Sequence, residues 1–157
     1  MNTLRVWMLF VCAVAIGSCG SSKLATPEQM NHEYVRELPG VAKADMYSRA
    51  LRFIGENFKS SKAVVDHTDK DAGLIIAKGV LDDVDYGGLA KGRLGFTLIL
   101  DCRDGKARFK YDIMPKDYSG GDMPAGLKYE NIHLAARKHL NVLTDQMVKA
   151  MVSASDF

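Results

Sequence analysis

Leu94-Gly95-Phe96-Thr97-Leu98-Ile99-Leu100-Asp101-Cys102-Arg103-Asp104-Gly105-Lys106-Ala107-Arg108-Phe109-Lys110-Tyr111-Asp112-Ile113 consists of two alternating runs around an Asp-Gly pair. In the first run Leu94, Phe96, Leu98, Leu100 and Cys102 alternate with Gly95, Thr97, Ile99 and Asp101, the period of two that a sheet with one buried face requires. The second run, Lys106 to Ile113, alternates charged and apolar residues more strictly. Asp104-Gly105 between them is the strongest hairpin signal in the chain, because tight hairpin turns favour residues that tolerate a left-handed backbone. The pair predicts an antiparallel sheet with one apolar and one polar face.

Working toward the amino terminus, Ala63 to His67 and Leu74 to Leu81 read as two further strands separated by the polar turn Asp69 to Gly73. Gly87-Gly88, Gly92 and Gly95 interrupt or bend the sheet and predict a curved one. Before these, Tyr47, Ala50, Leu51, Ile54 and Phe58 recur at steps of three and four. This spacing predicts a helix with Asp45 as its cap and Arg49, Arg52 and Glu56 in water. His32 to Leu38, closed by Pro39-Gly40, reads as a first strand.

Toward the carboxy terminus the pattern lapses after Met114-Pro115. The segment Ser119 to Gly126 is long for a loop in a compact domain, and with Tyr118, Asp122 and Met123 it is a candidate ligand loop. A long helix follows, from Tyr129 or Asn131 to Val152, with an apolar stripe of Ile132, Ala136, Leu140, Leu143, Met147 and Met151.

The first thirty residues carry an address. Arg5, an apolar run from Val6 to Ile16, then Gly17-Ser18-Cys19 resemble a bacterial lipoprotein signal, with cleavage before Cys19 and lipid attachment to its thiol. Eleven apolar residues span about 16 Å of helix against about 30 Å of hydrocarbon, too little for a membrane anchor. Residues 1–18 are thus expected to be a signal peptide and 19–30 a lipidated cysteine and flexible tether, with 31–157 a single domain. Several acyl chains make an anchor that stays where a single myristoyl chain would not. The expected address is the cell envelope, the outer membrane foremost, on its periplasmic or surface face.

Without Arg5 the mature chain has 20 basic and 19 acidic residues, so it lacks the surplus positive charge that nucleic-acid binding needs. With Cys12 removed and Cys19 acylated, Cys102 is the only thiol left and no internal disulfide can form.

Val41-Ala42-Lys43-Ala44-Asp45-Met46-Tyr47-Ser48-Arg49-Ala50-Leu51-Arg52-Phe53, followed by Asp71-Ala72-Gly73-Leu74-Ile75-Ile76-Ala77-Lys78-Gly79, resembles the envelope-protein family called domain of unknown function 4468. The resemblance covers roughly Asn31 to Tyr118 and implies a TBP-like fold, but no activity. Nucleic-acid binding does not follow from a fold label. The fold class is therefore α+β: a curved antiparallel sheet of about five strands with two helices on one face, in the order β-α-β-β-β-β-α, a TBP-like or helix-grip arrangement.

The remaining chemistry-bearing residues point to no reaction. Asp82-Asp83-Val84-Asp85-Tyr86-Gly87-Gly88 spaces carboxylates like a calcium loop, but Gly87 stands where a third oxygen is needed and Leu94 where the bidentate Glu belongs. It reads as a solvated acidic turn. Adjacent Asp66 and His67 point to opposite faces of a strand, and His133 and His139, six apart, lie on different faces of a helix. Cys102 reads as a buried, inert thiol. No catalytic residue, metal ligand or cofactor is assigned. The favoured function is a non-enzymatic envelope binding or assembly module with a protein partner. The alternative is a carrier of a small apolar ligand between the sheet and the last helix, with the Ser119 to Gly126 loop as lid. An envelope hydrolase stands third, and would need His67, His133 or His139 to meet carboxylates in one cleft.

Overall fold

The computed structural model describes residues 23–58, 64–86, 91–116, 119 and 121–153. A short helix α1 (Pro27–Met30) precedes β1 (Glu33–Glu37) and helix α2 (Lys43–Asn57). Then come β2 (Val64–Asp69), β3 (Leu74–Asp85), β4 (Lys91–Arg103) and β5 (Lys106–Lys116), a 3-10 turn (Pro124–Lys128) and helix α3 (Glu130–Val152). The strands form one open antiparallel sheet in the order β1-β5-β4-β3-β2.

The register confirms the alternation read from the sequence. Leu98 pairs with Tyr111, Leu100 with Phe109 and Cys102 with Ala107, while Ile75 and Ala77 of β3 lie opposite Leu100 and Leu98. These residues share one face and are buried with Met46, Tyr47, Ala50 and Ile54 of α2 and with Ala136, Leu140, Met147 and Met151 of α3. Both helices cover that face and pack on each other.

The Asp104-Gly105 turn does more than reverse the chain. Gly105 takes φ +72°, and its N–H and C=O bond Val41 O and Leu38 N. Asp104 Oδ1 accepts from Lys43 N at 2.8 Å, so the hairpin supplies the first turn of α2 with an acceptor. That corrects the expected cap: the N-cap position is Ala42, and Asp45 sits inside the first turn, 3.9 Å from Arg49. The helix needs no side-chain cap of its own because a neighbouring turn provides one.

Three boundaries also differ. The acidic segment expected to be a turn belongs to β3, which runs on to Asp85 through a register shift between Leu81 and Val84, with Asp83 at φ +56°. Strand β5 continues through Pro115, whose carbonyl accepts from Met123 N at 2.8 Å. Residues Lys23 to Met30, expected to be tether, are bound to the body: Ala25 N donates to Lys128 O and Glu130 N to Lys23 O, each at 2.9 Å. A capping box joins Thr26 and Gln29, and Pro27 opens the short helix. The small polar composition of this stretch reflects capping rather than freedom. Residues 1–18, expected to be a signal peptide, and Cys19, Gly87, Gly88 and Tyr118 lie outside the described residues.

Candidate functional site

The centre of the interface between sheet and α3 is solid. Leu98, Leu100, Phe109, Leu140, Met147 and Met151 are fully buried, and Tyr111 Oη and Thr144 Oγ1 share a hydrogen bond of 2.9 Å inside it. Thr144 is a polar residue in the apolar stripe of α3, and Tyr111 reaches its hydroxyl from β5.

Open space lies at the end of α2 and on the helix-free face of the sheet. One groove of about 340 Å³ is lined by Asn57 and Phe58 at the end of α2, Gly79, Leu81 and Phe96 of the sheet, and Leu143 of α3. Gly79 makes room for the Phe96 ring, into which a Cβ there would be driven. Phe58 meets that ring edge-on at 5.4 Å. A second groove of about 370 Å³ lies across Lys78, Val80, Gly95, Thr97, Met114 and Asp122. Here Gly95 leaves room for the Lys116 stem, and Lys116 Nζ binds Asp122 Oδ1 at 2.5 Å.

This second groove places the candidate ligand loop. Asp122 bridges to Lys116 of β5 and lines a groove on the helix-free side of the sheet, next to Thr97 and Asp112. Asp122 therefore lies on the side of the sheet away from α3, whereas Gly126 at the end of the loop lies beside Pro115 of β5 and Ile132 of α3. Met123 is exposed, and Tyr118 is outside the described residues.

The helix-free face is a lattice of ion pairs around half-buried apolar residues and the exposed Val35. Arg103 and Arg108 both reach Asp101, at 3.3 and 3.1 Å. Lys106 pairs with Glu37 at 3.1 Å, Arg93 with Asp82 at 2.7 Å and Lys78 with Asp66 at 2.7 Å. Val35, Ile76, Val80, Ile99 and Met114 stand between these charges.

Among the described residues the histidines do not gather carboxylates. His67 lies opposite Ile76 on the edge strand β2, where a register shift separates it from Val65. His139 is half-buried on α3. His133, by contrast, is buried against His32: the rings stack at 5.3 Å with His32 Nε2 3.0 Å from His133 Nδ1, and His133 Nε2 lies 2.9 Å from Leu127 O. Burial, reinforced by His133 and Arg137, lowers the His32 imidazole to about 4. No sequence signal marked this pair, because its members are 101 residues apart and His32 reads as the start of a strand. Cys102 is fully buried and its thiol is pushed up to about 12 by burial and by Asp101. Among the described residues no group of three or more His, Cys, Asp or Glu is placed to hold a metal, and Asp82 is engaged by Arg93.

A five-stranded antiparallel sheet with two helices on one face defines an α+β protein of TBP-like fold. The chain belongs to the family described as domain of unknown function (DUF4468) with TBP-like fold, whose model matches residues 33–113, more than half of its length. It is similar to the crystal structure of a DUF4468 family protein from Bacteroides ovatus, with a TM-score of 0.59 at 14% identity over 85% of this chain and 92% of that one. It is also similar to a TBP-like protein from Parabacteroides distasonis, with a TM-score of 0.65 at 11% identity over 84% of this chain and 99% of that one. At such identities the likeness concerns fold alone. None of the curated proteins matches the chain.

Proposed function

We propose that this protein is a non-enzymatic binding module of the bacterial envelope, held at a membrane by a lipid on Cys19 and engaging a protein partner through the helix-free face of its sheet. The observation that carries the reading is that face itself. Strands of 12, 13 and 11 residues lie side by side with Val35, Ile76, Val80, Ile99 and Met114 set among ion pairs, while the helix-covered face is committed to the core. Mixed apolar and charged surfaces of this kind suit protein recognition, where complementary charges fix register and apolar contacts supply affinity. The separation of His67, His133 and His139 also favours binding over hydrolysis.

The test is a photo-crosslinking amino acid at Ile99 or Val35 in protein anchored in its native envelope. A single stoichiometric crosslinked protein supports the reading. Crosslinks that scatter without a dominant species, with the same result at both positions, reject this face as an interface.

A second reading, carriage of a small apolar ligand, is favoured by the groove between Phe58, Phe96 and Leu143. Native mass spectrometry of protein purified from the envelope distinguishes it, because a bound small molecule would be displaced by filling the groove with Leu81→Trp.

A further inference from the structure

Four of the exposed large apolar residues gather where the described chain begins. Leu24 is 71% exposed, Leu134 is 50% exposed, and Met30 and Tyr129 are also in solvent. Leu24 pairs with Tyr129 in an isolated bridge, and α1 is fixed onto the first turns of α3: Gln29 Nε2 donates to Glu130 Oε1 at 2.8 Å, and Arg137 Nη2 to Glu28 O at 3.0 Å. Along α3, Leu134, Lys138 and Val142 follow at intervals of four, a stripe turned away from the buried Ile132, Ala136 and Leu140. Val142 is 55% exposed. Lys23, Lys128 and Lys138 are exposed at or beside this patch, and none has an ion-pair partner among the described residues. With Arg137 they outnumber the local acids Glu28, Glu130 and Asp145, of which Glu130 is occupied by Gln29 and Asp145 by Arg36.

We infer that this corner, Leu24, Tyr129, Leu134 and Val142 with Lys23, Lys128 and Lys138, rests on the surface of the anchoring bilayer and binds its anionic headgroups. The inference rests on the reading that Cys19 carries lipid. Four residue steps separate Cys19 from Lys23, so a fully extended chain allows at most about 14 Å between the acylated residue and the start of the body. Lys23 and Leu24 are themselves hydrogen-bonded or bridged to the start of α3, and that leash holds the patch within reach of the interface. Apolar side chains at a helix surface enter the headgroup boundary, and neighbouring lysines are attracted to anionic lipid. The same geometry turns this corner toward the bilayer by default, because no longer connection exists to let it rotate away.

The experiment uses full-length protein made in a lipidating bacterial host and reconstituted in vesicles of phosphatidylethanolamine and phosphatidylglycerol. A nitroxide is placed by Leu134→Cys or, as control on the helix-free face, by Asp112→Cys, and its collisions with oxygen and with a water-soluble nickel chelate are measured. The label at 134 is expected to lose at least half of its nickel accessibility on vesicles while the label at 112 keeps its own. A Lys23→Glu, Lys128→Glu, Lys138→Glu variant, folded by circular dichroism, is expected to recover nickel accessibility, as is replacement of both lipids by phosphatidylcholine. Equal water exposure of both labels, in protein whose intact mass shows the lipid, overturns the inference while leaving the anchor intact. Protection of the 134 label by a crosslinked protein instead of lipid also overturns it. An intact mass without lipid, with protein that fails to float with vesicles, refutes the anchoring reading and the inference with it.

Discussion

His32 and His133 face each other so that only one arrangement of protons serves both the contact between the rings and that of His133 with Leu127. Leu127 O can only accept, so His133 carries its proton on Nε2, and its Nδ1 is left to accept from His32 Nε2–H. His32 Nδ1 is then a buried lone pair, and it has no partner among the described residues. A proton on His133 Nδ1 would set two N–H groups against each other. One on His32 Nδ1 would bury a charge with no acceptor near Arg137.

Acid is therefore expected to destabilise the domain through this pair. The unfolded His32 titrates near 6.5 and the folded one near 4, so the unfolded chain binds the proton more readily. The contribution is fully present above about pH 6.5 and is lost as pH falls toward 4, on the order of 3 kcal/mol at most. The charged group beside the pair is Arg137 on α3, which donates to Glu28 O and Gln29 O of α1, and no acceptor among the described residues meets His32 Nδ1. Urea denaturation between pH 7 and pH 4 measures the slope. His32→Phe is expected to flatten it while lowering stability at pH 7 by about 1–3 kcal/mol, because His133 Nδ1 loses its donor. An unchanged slope in His32→Phe would assign the acid response to other groups.

The Tyr111–Thr144 hydrogen bond gives a cleaner double-mutant cycle. Burial raises the Tyr111 phenol well above its ordinary value, so the bond is between neutral groups at all physiological pH. Tyr111→Phe and Thr144→Val are each expected to cost about 1–3 kcal/mol, since each strands a buried partner, and the double variant is expected to cost less than their sum. Additive losses would mean that the two hydroxyls do not depend on each other.

The β4–β5 turn should act on a helix it does not belong to. Asp104→Ala removes the acceptor for Lys43 N and is expected to lower stability by about 1 kcal/mol, the usual scale for a lost helix cap. Gly105→Ala adds the strain of a side chain at φ +72°, about another 1 kcal/mol. Hydrogen exchange at the first turn of α2 reports the difference: Asp104→Ala accelerates it, whereas a change confined to the hairpin would leave it alone.

Most of the fold was legible because the sheet has one buried face. Leu94 to Cys102 and Lys106 to Ile113 alternate cleanly, and the stripe from Ile132 to Met151 has a single period, so the burial pattern of β4, β5 and α3 could be read from residue type. What escaped were features set by partners distant in sequence. Asp45 has the residue type of a cap, but Asp104, 61 residues beyond Lys43, occupies that role. Lys23 to Met30 has the composition of a tether, yet its donors and acceptors find α3 and the 3-10 turn. His32 and His133 gave no local sign of pairing. The candidate ligand loop was recognised by its length, but which side of the sheet Asp122 falls on depends on Lys116, and neither residue type encodes that.

Cys102 offers a last test that separates burial from reactivity. Its side chain lies between the sheet and the core, and the thiol is pushed up to about 12, so almost no thiolate exists at neutral pH. In a Cys12→Ser, Cys19→Ser protein it is the only thiol in the chain. Ellman's reagent is expected to count no thiol in native buffer and one in 6 M guanidinium, with native labelling limited by the rate of unfolding. Prompt labelling of the native protein would mean that the pairing of Cys102 with Ala107 opens without global unfolding, and the last turn of β4 would then be a mobile edge and not part of the core.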